Sequence, residues 1–428
     1  MKHLHFDIDR DGFYGAYWTG TAQSDCAVIA MLGDDPEDYM ARSAVKWLLK
    51  QGVNVMTMSP GKKDYGHHNY PLERIETAIA WLKAHGNRKL GIAGASTTGT
   101  LALTAASYFP ELTLTIAMTP SDFVWQGFMQ GKKDGCKEWP IPGESLFSYH
   151  GEPLPYMPFC YPHPQYWQVI AQETKQAGAM LASRKLFDDS EAAHPITEAE
   201  TIRVENIQGH LLLIGAADDV LWDTEKYIRR MERRLAERPH ACTVEAAVYD
   251  HGTHFVFPEG MLKTMLPVGA DLFVKLAFRE ARVFPRECKA ARLDIQRRVV
   301  KALADWQEYG KRQLPVFSSA GVLGVLRPVE GHPVGHIVLD LLNPVQMLGV
   351  AEEVVQLLRR VNVHADHDIR VGVPCGGAPA HLCVVQEGKL PFQIRVHLAA
   401  MEIKEGHVRV FLQLQQNIMY HSKDLLQK

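Results

Sequence analysis

Three short stretches of this chain hold residues of the types, and in the order, that acyl-transfer chemistry uses. Gly94-Ala95-Ser96-Thr97-Thr98-Gly99 sets a serine between small residues, after an apolar run over 89–95 and before a small-residue segment over 98–108. A serine on a tight strand-to-helix turn stands clear of the sheet's end, where a base can take its proton and the next backbone N–H can face an oxyanion. Gly215-Ala216-Ala217-Asp218-Asp219 closes a second apolar run, and Tyr249-Asp250-His251-Gly252-Thr253-His254 closes a third. Taken together they predict Ser96 as nucleophile, His254 as general base and one of Asp218 and Asp219 as the carboxylate that orients the imidazole. Two choices stay open on residue types alone. Asp218 and Asp219 both suit the acid, and either suits a cap on the helix that follows. His251 competes with His254 in a chain of 20 histidines.

Those residues need strand ends to hold them. Residues 26–32, CAVIAML, form a continuous apolar run that suits a strand buried on both faces. A helix over 37–51, a strand over 53–58 and a helix over 71–85 follow. Next come the strand 89–95, the helix 98–108 and the strand 112–118. This alternation predicts a parallel sheet with helices on both faces. Residues 120–200, rich in proline, glycine and aromatics, break the rhythm and predict an inserted lid. It resumes with a strand at 210–216, a helix at 223–237, a strand at 242–249 and a long helix at 287–307. On that last helix Leu293, Val300 and Leu303 are expected to pack, with Arg292, Arg297 and Arg298 solvated. Near the N-terminus, Asp11-Gly12 between aromatic-rich segments predicts a hairpin over 2–18. Beyond Gln313 a helix opening at Asn343-Pro344 and two alternating strands, 391–401 and 407–415, predict a separate α+β unit.

Composition narrows the classes. Lys and Arg number 46 against 49 Asp and Glu, with no long basic run, so nucleic acid is not an expected partner. No apolar run reaches the length of a membrane span and the first residues lack an apolar leader, so a cytoplasmic protein with no membrane partner is expected. Seven cysteines without framework spacing read as free thiols. His67-His68 reads as a surface loop, and Cys375, His381 and Cys383 as a loop entering a strand, so no metal and no cofactor are expected.

With these motifs placed, residues 1–313 resemble the C-terminal catalytic domain of the acyl-CoA thioesterases and bile acid-CoA:amino acid N-acyltransferases, relatives of the dienelactone hydrolases. The matching stretches are GIAGASTTGTLALTAASYFPELT, PSDFVWQGF, SYHGEPLPYMPF, IQGHLLLIGAADDVLWDT, YDHGTH and ARLDIQRRVVKAL. The resemblance implies an α/β-hydrolase: a doubly wound, mostly parallel sheet over 1–313 with a lid insertion at about 120–200, followed by a smaller α+β domain over 314–428. It implies that Ser96 is the nucleophile, that Asp219, three residues before Trp222, is the acid, and that His254 is the base. Thr98 and Thr253 stand where the family has glycine, and added β-carbons there are expected to strain the turns or narrow the pocket.

The expected reaction is attack of Ser96 on an ester or thioester carbonyl of a small acyl substrate. The oxyanion is met by Thr97 N–H and by the N–H of Asp34 or Asp35, in the loop after 26–32. Trp125, Phe128, Tyr156 and Phe159 are the candidate pocket residues. Serine chemistry favours hydrolysis over transfer. A carboxylesterase or peptidase, an acyltransferase and a silent ligand-binding homologue are the competing readings. The C-terminal domain suggests a homo-oligomer.

Overall fold

Residues 3–20, 24–130 and 138–308 are described by the computed structural model, together with the backbone of five strands beyond residue 334. The chain divides into two compact units, Met1–Lys311 and Arg312–Lys428.

In the first unit β1 (His3–Phe6) and β2 (Gly15–Trp18) pair antiparallel, as the hairpin pattern predicts. The connection differs. It is a one-turn helix, α1 (Ile8–Asp11), because Asp7 caps it by accepting from Asp9 N and Gly12, at φ 81°, ends it. The alternating elements follow as β3 (Cys26–Met31), α2 (Tyr39–Leu49), β4 (Asn54–Met58), a short β5 (Tyr70–Pro71), α3 (Glu73–Ala84), β6 (Lys89–Ala95), α4 (Thr97–Tyr108) and β7 (Leu112–Met118).

The described residues of 120–200 are not irregular. They form β8 (Gln126–Gln130), β9 (Glu138–Ser145), β10 (Phe147–Tyr149), β11 (Glu152–Pro153), α5 (Gln165–Ala177) and α6 (Arg184–Ala193). β8 and β9 pair antiparallel, while β10 pairs with β11 and, in parallel, with the distant β5. Short strands interrupted by Pro140, Pro142 and Pro153 leave too little alternation for a sequence pattern to register. After this excursion come β12 (His210–Ala216), α7 (Thr224–Glu237), β13 (Thr243–Tyr249), α8 (Glu259–Met265), α9 (Ala270–Ala277), α10 (Arg279–Val283) and α11 (Pro285–Glu308).

Eight strands form the main sheet in the order β1-β2-β4-β3-β6-β7-β12-β13, parallel from β4 onward. Side chains alternate between two cores. Ile29 and Met31 of β3, with Leu211 and Leu213 of β12, join one; Val28, Ala30, Leu212 and Ile214 join the other. Each fully buried Leu, Ile or Val contributes about 2 kcal/mol of transfer free energy, so both faces of the sheet must be covered. Helices α3, α4 and α7 cover the first face, and α2, α8 and α11 the second.

The face of α11 departs from expectation. Arg292 is buried and Leu293 exposed, while Ile295, Val299, Ala302, Leu303 and Trp306 pack. Arg292 turns inward because Glu259 on α8 meets its Nε at 2.9 Å.

In the second unit β14 (Gly335–Leu341), β15 (Ile369–Gly372), β16 (Cys383–Gln386), β17 (Gln393–Lys404) and β18 (His407–Asn417) are described. β14, β18 and β17 form an antiparallel sheet in that order, and β15 pairs with β16. The expected hairpin is present, with Lys404 opposite His407. The helix expected from Asn343, and Cys375 and His381, lie outside the described residues.

Candidate active site

β6 delivers Ser96 to the sheet's carboxyl edge on a bend that only small neighbours permit. Ser96 itself holds φ 60° and ψ −130°, a conformation that non-glycine residues rarely adopt and that costs of order 1–3 kcal/mol. A Cβ on Gly94 would come within 2.0 Å of Thr98 O, and one on Gly99 within 2.7 Å of Met118 O. Both glycines are therefore required by the turn. Ser96 N donates to Met118 O at 2.9 Å, tying the bend to β7. Thr98 does not strain it: its hydroxyl donates to Met31 O at 2.6 Å and accepts from Ala95 N at 3.0 Å. This threonine pins the elbow to the end of β3.

On the far side of β7, Asp219 follows β12 and His254 follows β13. Asp219 is fully buried and His254 nearly so. His254 Nδ1 lies 2.8 and 3.0 Å from the two Asp219 oxygens. Asp219 also accepts from Leu221 N at 2.9 Å and from the Thr224 hydroxyl. Four contacts on one carboxylate fix its plane and commit Nδ1 as the donor, leaving Nε2 as the acceptor. Nε2 is buried without a hydrogen-bond partner. A Trp222 ring stands edge-on to the imidazole, 5.0 Å between centroids, and Trp222 Nε1 donates to Thr119 O at the end of β7. That contact links the histidine to the strand that anchors Ser96.

Adjacent Asp218 does other work. Its Oδ1 accepts from Gly252 N at 3.0 Å and Thr253 N at 2.7 Å, and its other oxygen faces His251 Nδ1 at 3.4 Å. Burial lifts this carboxyl above its ordinary pKa against the pull of those two N–H groups. His251 stacks on Phe284, ring centroids 3.6 Å apart, and so points away from Asp219. Thr253 does show the strain expected of it, at φ 60°. Thr119 adopts φ 44° at the neighbouring strand end. Ser96, Thr119 and Thr253 thus gather three strained residues along one edge. Such clustering marks functional sites, and nothing in residue type announced Thr119.

Thr97 supplies the first N–H of α4, which helix geometry leaves without an intrahelical acceptor. In the loop after β3, Asp34 N donates to Asp38 Oδ2 at 3.2 Å and is already engaged. Asp35 remains the candidate second donor, and its carboxylate turns to Glu37 N and Lys63 N. Trp125 and Phe159 belong to one aromatic cluster: both meet Phe187, and Trp125 and Phe187 meet Trp222, which reaches His254. Tyr156 is half-buried against the same core. Phe128 instead faces Tyr65 and His67. His67 is buried rather than on a surface loop, with Nδ1 2.8 Å from Tyr65 O. Cys160, Cys242 and Cys288 are free thiols. Among the described residues no three acidic, histidine or cysteine side chains gather to hold a metal ion.

This sheet order, with a strained serine after the fifth strand, an acid after the seventh and a histidine after the eighth, defines the α/β-hydrolase class. Residues 70–259 match the family model described as BAAT / Acyl-CoA thioester hydrolase C terminal. The match spans Ser96, Asp219 and His254. A comparison with curated proteins found no match. Among solved structures, an esterase of Pyrococcus furiosus is similar at 18% identity over 69% of this chain and 85% of its own, with a TM-score of 0.37. Esterase B of Lactobacillus rhamnosis is similar at 13% identity over 73% and 88%, TM-score 0.35. The acylaminoacyl peptidase of Pyrococcus horikoshii is similar at 12% identity over 67% and 41%, TM-score 0.36.

Proposed function

We propose that the chain is a serine hydrolase that cleaves an acyl thioester or carboxylic ester through Ser96, His254 and Asp219. The observation that carries this reading is the buried His254–Asp219 pair, whose Nε2 is left without a partner on the edge where Ser96 stands on its strained bend. In the proposed reaction Ser96 Oγ attacks the acyl carbonyl as His254 Nε2 takes its proton. Asp219 holds the Nδ1–H tautomer and stabilises the imidazolium. The tetrahedral oxyanion is met by Thr97 N–H and Asp35 N–H, each such donor contributing roughly 3 kcal/mol to the transition state. His254 then passes the proton to the departing thiolate or alkoxide. Water, deprotonated by the same imidazole, releases the carboxylic acid and restores Ser96. The preference for a thioester rests on the description of the matched family.

A fluorophosphonate probe tests the serine. Wild type is expected to label and Ser96→Ala not to; equal labelling of both, or no labelling of wild type, rejects the mechanism. A panel of acyl-CoA and p-nitrophenyl esters then separates the leaving groups. A higher kcat/KM on acyl-CoA supports the thioesterase reading, and turnover of oxygen esters alone replaces it with a carboxylesterase.

A further inference from the structure

The segment between β13 and the body of α11 leaves an unusual surface. Val268, Leu272, Phe273, Leu276, Val283 and Leu293 are all exposed there, Leu272 by 61% and Leu276 by 68%. Helix α9 is apolar on both sides: Ala270, Val274 and Ala277 face inward, while Leu272 and Leu276, one turn apart, face out. Two leucines left exposed one turn apart on a surface helix call for a covering partner. Around it lie Lys275, Arg279, Arg282 and Arg286, none of which has an ion-pair partner among the described residues. Arg282 donates only to the carbonyls of Lys275 and Gly178. Residues 268–293 hold six basic and three acidic side chains, in a chain that is net acidic overall. A cavity of about 490 Å³ opens between α9, α10 and α11, lined by Val274, Pro285 and Leu293, by Lys275 and Arg286, and by Lys289 paired with Asp271.

We propose that this face docks the protein on an anionic phospholipid surface. Exposed leucines enter the acyl boundary, and the unpaired cations meet the phosphates. Charge decides between occupants. A second copy of this chain laid on the same patch would bring two like-charged surfaces together, whereas an anionic headgroup supplies both the missing charge and an apolar root. The patch also adjoins the site, since Phe273 meets Phe255, the residue after His254, with ring centroids 5.7 Å apart. Docking is a peripheral contact and is compatible with the lack, among the described residues, of any helix long and apolar enough to cross a membrane. It departs from the expectation that no membrane takes part, which considered only spanning segments. It does not depend on the hydrolase reading.

The test is flotation of the full chain with vesicles of equimolar phosphatidylcholine and phosphatidylglycerol, and with vesicles of phosphatidylcholine alone. The chain is expected to float with the anionic vesicles, less so in high salt, and not with phosphatidylcholine. Leu272→Asp/Leu276→Asp and, separately, Lys275→Glu/Arg286→Glu are expected to lower the bound fraction about tenfold while labelling of Ser96 is unchanged. Failure of wild type to float, flotation of both variants equal to that of wild type, or a gel-filtration dimer abolished by the leucine variant would each overturn the proposal. None of these outcomes bears on whether Ser96 is the nucleophile.

Discussion

Thr253 holds φ 60° with a branched side chain, in a conformation that costs roughly 1–2 kcal/mol for an L-residue. The loop keeps it because Asp218 accepts the backbone N–H groups of Gly252 and Thr253, and because Thr253 Oγ1 accepts from Phe255 N at 3.1 Å. Thr253→Gly relieves the Cβ but loses that acceptor and gains unfolded-state entropy. The expected net change in stability is within about 1 kcal/mol by urea titration. Thr98→Gly removes two well-made hydrogen bonds at an unstrained position, so a loss of about 2 kcal/mol is expected, and Thr98→Ser should restore most of it. If Thr98→Gly proves stabilising, Thr98 is not the anchor of the elbow. The two aspartates separate in the same way. Asp219→Asn loses the acceptor that selects the His254 tautomer, and kcat should fall about ten-thousandfold. Asp218→Asn keeps an oxygen facing both N–H groups, so kcat should stay within about tenfold. The reverse ranking would reassign the acid. Ser96 and the histidine loop were legible because apolar runs mark strand ends. The choice between Asp218 and Asp219 was not, because neighbouring side chains diverge and only the turn decides which one reaches His254.

Helix α11 shows where periodicity misleads. Arg292 looked solvated and Leu293 looked packed, because hydropathy carries no term for a buried partner. Glu259 lies on α8, itself unforeseen and separated from α11 by two further helices, and pairs with Arg292 at 2.9 Å while both are almost fully buried. Removing one member of a buried pair costs about 3–5 kcal/mol, whereas replacing both with apolar residues is often neutral. Arg292→Met is therefore expected to destabilise the chain by about 3 kcal/mol in urea, partly moderated because Lys289 and Lys263 also face Glu259. Arg292→Met/Glu259→Met should recover most of that loss. If the double variant is no better than the single, the pair contributes packing rather than charge. The parallel strands were readable as continuous apolar runs, being buried on both faces. The short strands β8 to β11, cut by prolines and paired with the distant β5, were not, since their partners lie far along the chain.

The two-faced sheet has a consequence for the whole first unit that pH exposes. His67 is buried in the loop between β4 and β5, among Tyr70, Phe128 and Phe147, with its Nε2 unpartnered. Burial pushes its pKa down from 6.5 to about 4, opposed by the Tyr65 carbonyl and by Asp64. The folded chain therefore binds fewer protons at this site than the unfolded chain between those two values. Stability contributed by keeping His67 neutral is complete above pH 6.5 and is lost as pH falls toward 4, by about 3 kcal/mol in all. Asp218 acts with the opposite sign. Its raised carboxyl lets the folded state hold a proton longer than the unfolded one, so its contribution falls as pH rises from 3.8 through its higher folded value. Urea midpoints of the full chain, followed by tryptophan fluorescence between pH 7 and 4, should fall steadily for wild type. For His67→Phe, which fits the aromatic surroundings and cannot titrate, the fall should be shallower by about 3 kcal/mol. Parallel pH profiles for the two proteins would show that His67 is already solvated or protonated in the folded chain, and that the loop between β4 and β5 is open where the structure has it closed.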